Sequence, residues 1–502
     1  MLTLQGLTLF GKIPKVLKTI DYDKYELIVG LEIHTQLKTV TKAYSADAYE
    51  YGLGANTQTC PISLGHPGTL PVPNKRVIDS GIKLGLALNC SIRERNEYAR
   101  KNYFYADLPK GYQITQDKTP ICTDGFIIVK DANGEDKRIG ITRIHMEEDS
   151  GKSIHDIDPF ESLIDLNRAG VPLLEIVSEP DFRSIEEAYN FLAEIRRMVK
   201  YLDICDGNME EGSMRCDANI SVRLRGEEDL RTRVEVKNMN SLRNVQRAIQ
   251  YEAKRQIEVY ENGGEVFQET RNYDAGKNIT IVMRTKEDAH DYRYFPEPDI
   301  QPVYVYQKDV DKVKANMPAL PSELFKQYVE EYKLSEYDAA LLIEDKEIAL
   351  YYGRLIDLVP NYKMACNYLM GTVKSYLNEK ALTIGELPIG IDKLAELINL
   401  VDSGKVSHSA ANQKLFPAVI IEPTADVVGL IHSLGIIQES DSSFLESVIS
   451  EVISAHPNEL ERYKAGQKQL MGMFMGQVMK ASKGKADPKI TSKLLAEMLN
   501  KA

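Results

Sequence analysis

The sequence predicts an α+β protein, with a largely antiparallel sheet domain followed by an all-α helical domain and a small helical tail domain. Three observations predict it. The chain's 502 residues suffice for two to four domains, each with its own core. From Tyr25 to about Tyr306, short runs of alternating apolar and polar residues are separated by Gly/Pro-rich turns and two helical stretches. After Met317-Pro-Ala-Leu-Pro321 the apolar period becomes that of helices. The expected boundaries are 1–23 for an N-terminal extension, 24–316 for the sheet domain, 317–422 for the helical domain and 423–502 for the tail.

Charge and cysteines narrow the class. A net charge of −12 argues against a protein that coats nucleic acid by charge alone. The segment from Glu461 to Ala502 differs, with nine Lys/Arg against three acids, a net +6. Such asymmetry suits a polyanion-facing appendage, and equally a solvated helix face. Six irregularly spaced cysteines without Cys-x-x-Cys read as reduced thiols of a cytosolic protein. Lys12, Lys15 and Lys18 interrupt the apolar pieces of the N-terminus, unlike a secretory signal, and no run of eighteen apolar residues suggests a membrane span.

The first strand is Tyr25-Glu-Leu-Ile-Val-Gly-Leu-Glu-Ile-His-Thr-Gln-Leu37, too β-branched and alternating for a helix. Its alternation puts Glu32 and His34 on one face and Leu31 and Ile33 on the other. A carboxylate beside an imidazole can hold a cation or handle a proton, and an edge strand facing water would show the same pair. Two phosphate motifs fail. Gly151-Lys152-Ser153 lacks the earlier glycine of a P-loop and follows Glu147-Glu-Asp149; Gly52-Leu-Gly54 has Thr57 where a dinucleotide fingerprint needs its third glycine. Any ATP must then be held by metal and basic side chains.

The next acid-bearing strands are Ile141–Asp149 and Val171–Glu179. Glu175 lies among Leu174, Ile176 and Val177, where a carboxylate is costly unless paired or metal-bound. Glu179 precedes Pro180 and ends its strand. A helix follows over 184–201, opened by Ser184 with Glu187 in capping-box position. In Met214–Arg223, Arg215, Asp217, Asn219, Ser221 and Arg223 share one face; in Arg231–Lys237, so do Arg233, Glu235 and Lys237. Paired through a turn over 224–230, these runs present acids interleaved with cations, which suits a cleft where metal offsets the acids and Arg/Lys grip phosphate. A second helix runs from Ser241 to Tyr260 and stops before Asn262-Gly-Gly264. Helices then read over 322–331, 335–345 and 367–380, with breaks at Phe416-Pro417 and Glu422-Pro423. Leu470, Met473, Phe474 and Val478 form an apolar helix face that reads as core.

Residues alone leave three functions open: an enzyme that activates a substrate with ATP, a metal-dependent phosphodiester hydrolase, and an RNA-binding scaffold. Longer motifs decide among them. Gly30-Leu-Glu-Ile-His34, Arg100-Lys-Asn-Tyr-Phe-Tyr105, Leu108-Pro-Lys-Gly-Tyr-Gln113, His145-Met-Glu-Glu-Asp149, Asp165-Leu-Asn-Arg168, Glu210–Asn219, Lys237-Asn-Met-Asn-Ser241, Asp291–Asp299 and Val478–Lys485 occur in order. Together they resemble the B-type subunits of the glutamyl/aspartyl-tRNA amidotransferases, the GatB/GatE family, from about Tyr25 to the C-terminus.

The resemblance implies a cradle-shaped sheet domain similar to the glutamine synthetase type. It implies phosphorylation, with ATP and Mg²⁺, of the side-chain carboxylate of Glu-tRNA(Gln) or Asp-tRNA(Asn), then amidation by ammonia. The implied partners are an A-type amidase (glutaminase), a small C-type protein of the same amidotransferase, and the misacylated tRNA. Carried over from the family, the metal and phosphoryl-transfer site falls on Glu32, His34, Glu148, Glu175, Asp217 and Glu235. Arg215, Arg233 and Lys237 are the candidates for the nucleotide phosphates, and Lys480, Lys483 and Lys485 for tRNA. Some relatives carry a zinc knot of two cysteine pairs; here the stretches read Ser45-Ala-Asp47 and Cys60-Pro-Ile-Ser63, so no zinc is expected.

Overall fold

A nine-stranded sheet organises the first half of the chain in the computed structural model, which describes residues 20–155, 157–158, 160–285, 291–437, 442–482, 486 and 488–501. Its strands are β1 (Tyr25–Gln36), β2 (Ser91–Ile92), β3 (Cys122–Lys130), β4 (Asp136–Glu148), β5 (Pro172–Ser178), β6 (Met214–Leu224), β7 (Val234–Met239), β8 (Glu269–Asp274) and β9 (Ile279–Thr285). The order across the sheet is β9-β8-β7-β6-β1-β5-β4-β3-β2, antiparallel at every step except β7 to β8. The segment 225–233 joins β6 to antiparallel β7, which begins at Val234, three residues later than the alternation predicts.

Alternation explains which face is core. Leu31, Ile33, Leu174, Ile176, Ala218, Ile220, Val234 and Val236 are buried in one cluster with residues of α1 (Lys75–Ala87), α2 (Ile185–Tyr201) and α3 (Leu242–Glu261). Apolar residues at every second position thus send their polar neighbours to the opposite face. Ser184 caps α2 by accepting from Glu187 N at 3.1 Å. The Glu187 carboxylate, however, accepts from Arg183 N at 2.7 Å, so the reciprocal arm of the expected capping box closes one residue early. Ser241 caps α3 through Asn244 N.

A three-stranded sheet of Ala99–Asn102, Tyr112–Thr115 and Phe295–Pro296 accompanies the large one. Arg100 locks two distant motifs together there. It donates from Nε and Nη2 to the buried Glu297 carboxylate at 2.7 and 2.9 Å, and from Nη2 to Asp299 at 3.0 Å. A forked guanidinium–carboxylate pair of this kind fixes orientation as well as distance.

The chain divides into two units, Met1–Leu320 and Pro321–Ala502. The second is helical, with one core of residues between Tyr328 and Ile436 and another between Leu445 and Leu499. The break between them therefore lies beyond the 422/423 position read from the sequence. Asp426 caps the helix Val427–Leu434, whose Val427 and Ile431 return to the first of these cores. Phe416-Pro417 is not a break either: a wide turn over Ala411–Leu415 leads directly into the helix Phe416–Ile421. A proline near a helix start lacks only an N–H that the helix does not need. Phe474 and Val478 are fully buried in the last core, with Leu470 and Met473 against it, as their spacing predicts. Among the described residues no helix is long and apolar enough to cross a membrane.

Candidate active site on the polar face of the sheet

Register turns the polar face into a grid. Asp217 on β6 stands opposite Glu32 on β1, Glu32 opposite Val177 on β5, and Val177 opposite Arg143 on β4. The next row along runs Arg215, His34, Glu175, His145. Glu235 on β7 pairs with Asn219. A β-bulge between Cys216 and Ala218, with Asn238 at φ 67°, brings Lys237 onto Asp217. Most of these side chains line a cavity of about 680 Å³. Lys101, Tyr292 and Tyr294, held near it by the Arg100–Glu297 lock, also line it.

Glu175 is the hub. Its Oε2 lies 3.1 Å from His34 Nε2 and 3.3 Å from His145 Nε2. His34 Nε2 is also 3.8 Å from Glu32, and His145 Nε2 3.5 Å from Glu147. Glu147 further meets Lys101 Nζ at 3.4 Å and accepts from Thr115 Oγ1 at 2.7 Å. Lys237 Nζ bonds Asp217 at 2.5 Å and Glu235 at 3.0 Å, and Thr270 Oγ1 donates to Glu235 at 2.7 Å.

The electrostatics follow from these contacts. Burial opposes ionisation of Glu175, yet His145 and His34 hold its pKa well below the ordinary value. Burial likewise opposes the charge of Glu147, and Lys101 and His145 outweigh it. Burial and the nearby Glu175 charge raise Glu32, with His34 and Lys237 only partly offsetting them. Burial resists protonation of His145, but Glu175 and Glu147 push it up to about 9. His34 is raised as well: the Glu175 hydrogen bond and charge overcome burial.

The structure brings together Glu32, His34, Glu175, Asp217 and Glu235, five of the six residues carried over as the metal and phosphoryl-transfer set. It does not bring in Glu148. That carboxylate lies on the other side of β4, ion-paired to Lys110 and accepting from Ile114 N at 2.8 Å. Strand parity gives the cleft position to Glu147. Arg215 also departs from expectation. It donates from Nη2 to Asp149 at 2.6 Å and lines a second cavity of about 630 Å³, together with Asp217 and Arg168. Arg233 and Lys237 do line the first cavity. Lys480 is exposed at the end of the helix Leu470–Ala481, whereas Lys483 and Lys485 lie outside the described residues.

His145, Glu147, Lys101 and Arg143 are cavity or cluster residues to which sequence pattern alone assigns no role. Their only signals are the Arg100–Tyr105 and His145–Asp149 motifs and the parity of β4. Two triads could hold a cation: Glu32, His34 and Glu175, and His145, Glu147 and Glu175, with candidate ligand atoms within 4.8 Å of one another in each. Carboxylates with one imidazole per triad suit a hard or borderline divalent ion, and the buried His145 Nδ1 has no partner among the described residues. The cysteine-poor loop is closed by hydrogen bonds: Ser63 Oγ donates to Asp47 at 2.6 Å, and the buried Lys42 Nζ donates to the Gln58 carbonyl at 2.7 Å.

A sheet floor that concentrates carboxylates, imidazoles and lysines in one cavity defines an enzyme-type site rather than an inert sheet surface. Comparison with known proteins is specific. The family model described as the GatB/GatE catalytic domain matches residues 27–311, and that described as the GatB domain matches residues 351–499. The B subunit of the aspartyl/glutamyl-tRNA(Asn/Gln) amidotransferase of Chlorobium phaeobacteroides (strain BS1) is 47% identical over 476 residues, covering 95% of this chain and 99% of that protein. Its namesake in Persephonella marina (strain DSM 14350 / EX-H1) is 45% identical over 477 residues, covering 95% and 100%. The chain belongs to the GatB/GatE family, and is one component of an amidotransferase, a ligase that forms carbon–nitrogen bonds with glutamine as donor.

Proposed function

We propose that this chain activates the side-chain carboxylate of Glu-tRNA(Gln), Asp-tRNA(Asn) or both with ATP, and that ammonia from an A-type glutaminase partner then amidates it, with a small C-type protein completing the complex. The observation that carries this reading is the clustering of acids, imidazoles and lysines in one cavity of a chain whose relatives are amidotransferase B subunits. In the first step a carboxylate oxygen of the aminoacyl group bonds to the terminal phosphorus of ATP, and the bond to ADP breaks. In the second, ammonia adds to the acyl carbon, inorganic phosphate leaves with the C–O electron pair, and nitrogen loses a proton. An unactivated carboxylate is a poor acyl donor; the mixed anhydride has a good leaving group.

The chain's own residues fit those tasks. Lys101 and Lys237 place positive charge on opposite sides of the acidic floor, and exposed Arg233 adds a third cation at the β7 end. A divalent ion such as Mg²⁺, held by Glu32, His34 and Glu175 or by Glu147 and His145, would offset phosphate charge that the carboxylates otherwise repel. The broad antiparallel sheet with helices behind it supports kinship with the glutamine synthetase type of cradle, which also works without a P-loop. A phosphodiester hydrolase would use similar acids; family membership favours the amidating reading. The chain would work in the cytoplasm, consistent with its six free cysteines.

The test uses the assembled amidotransferase with misacylated tRNA, Mg²⁺ and free ammonia, with and without ATP. Amide formation is expected only with ATP, accompanied by ADP; amidation without nucleotide would overturn the reading. A complex carrying Glu32→Ala or Asp217→Ala should keep its glutaminase activity and lose amidation. The basic tail is read as a tRNA contact. Changing Lys480, Lys483 and Lys485 to Glu should weaken tRNA binding at fixed salt at least about tenfold and leave cation binding intact; unchanged affinity in a filter assay would remove the tail from the interface.

A further inference from the structure

Lys237 is spent on Asp217 and Glu235, Lys101 on Glu147, and Arg215 on Asp149, although the Arg215 Nε is itself buried without a partner among the described residues. Of the cavity's arginines, Arg233 is exposed to solvent and Arg143 is not. Arg143 forms no ion pair or side-chain hydrogen bond with any described residue, although its side chain lines the 680 Å³ cavity and its Nε is buried without a partner. Buried guanidinium N–H groups are ordinarily satisfied, so one that is not, on the wall of a cavity, is disposed to receive an acceptor from whatever enters.

Its place in the grid says what kind of acceptor. The row Asp217, Glu32, Val177, Arg143 has Lys237 beside its first member and Arg143 as its last. Arg143 and Glu32 are separated by two strand spacings, about 10 Å. Between them in the row is only the apolar Val177, while the next row brings the cation-binding group of His34, Glu175 and His145. A ligand that reaches from this group to Arg143 meets an unpaired cation there, which favours an anionic group at that end. A planar, permanently charged fork is matched to phosphate oxygens more closely than a lysine is.

We propose that Arg143 is a further binding residue of this site, its guanidinium taking the phosphates of the nucleotide at the end of the cavity away from Lys237. The proposal rests on reading the site as an ATP-dependent activating centre. Arg143 is assigned no proton transfer and is not a metal ligand.

The test is made on the assembled complex carrying Arg143→Ala or Arg143→Lys. Arg143→Ala should raise the KM for ATP at least about tenfold and weaken binding of a non-hydrolysable ATP analogue by a similar factor. The KM for aminoacyl-tRNA, the glutaminase activity and Mn²⁺ binding without nucleotide should stay at wild-type values. Arg143→Lys keeps the charge but not the fork, and should fall between Arg143→Ala and wild type; it also serves if the alanine variant does not fold. Unchanged ATP KM and analogue affinity in a wild-type-like fold would overturn the proposal, and so would an effect confined to aminoacyl-tRNA, which would place the substrate carboxylate at Arg143 instead. A wild-type complex that neither binds nor requires nucleotide would defeat the underlying reading, an outcome distinct from either.

Discussion

Two clusters of buried charge in the sheet unit look alike in composition and differ in saturation. At the α3 edge, fully buried Glu252 takes hydrogen bonds from Arg255 at 2.6 and 3.0 Å, from Gln256 at 2.9 Å and from Thr280 at 2.8 Å. Arg271 bonds Thr280 at 2.8 Å and Glu269 at 2.6 Å. Two carboxylates there meet two guanidiniums, and the oxygens of Glu252 are occupied. On the polar face, five carboxylates (Glu32, Glu147, Glu175, Asp217 and Glu235) meet two lysines and two imidazoles, and Glu32, Glu175 and Glu235 line a cavity together with Arg143 and Arg233. In the first arrangement both carboxylates are paired, and it fastens α3 to the strand edge. The second leaves polar atoms without partners among the described residues, His145 Nδ1 and Arg143 Nε included, at a cavity that a ligand can enter. Saturation, not burial or charge content, separates a clamp from a site.

The largest contrast should come from paired glutamine substitutions. Glu252→Gln should destabilise the unit by about 3–5 kcal/mol, read as a fall in urea midpoint, while amidation per folded complex holds. Glu175→Gln should cut amidation at least about 100-fold and abolish Mn²⁺ binding measured by paramagnetic resonance. A Glu175→Gln complex that amidates at the wild-type rate would erase the distinction. A finer contrast lies within one tripeptide. Glu147→Gln should lower amidation about 10- to 100-fold, whereas Glu148→Gln should cost stability and leave kcat near wild type. The reverse outcome would return the site to Glu148.

The smallest effect concerns acid. Burial opposes the charge of Asp149, but Arg215, Arg168 and Gln36 hold its carboxyl down at about 2, below an ordinary 3.8. A depressed folded pKa gives stability that is complete above the unfolded value and is lost as pH falls from about 4 through about 2. Asp149→Asn should therefore lose on the order of 2 kcal/mol at neutral pH, and the gap to wild type should close between about pH 4 and pH 2. A gap that is constant with pH would show that the ion pair contributes nothing.

Much of this was legible in the sequence. Period-two patterning placed Glu32 with His34, and Asp217 with Asn219, because one face of each strand is unbroken core. Ser184 and Ser241 marked the starts of their helices for the same local reason. What was not legible depends on neighbours. Among Glu147, Glu148 and Asp149 the residues are equally acidic, and the face each takes is set by pairing with β5. Arg215 shares a strand face with Asp217, yet its reach carries it to Asp149. Lys101 and Tyr292 meet at the cavity through contacts between segments far apart in the chain, Asn102 N donating to Tyr292 O at 2.9 Å and Arg100 binding Glu297.

Those three consecutive acids also form a mechanical joint. Glu147 is fixed to Lys101 at the first cavity, Glu148 to Lys110, and Asp149 to Arg215 at the second cavity. Neighbouring α-carbons are tethered about 3.8 Å apart by rigid peptides. The lysine that lines the first cavity and the arginine that lines the second are therefore anchored on residues only two apart in one short stretch of chain.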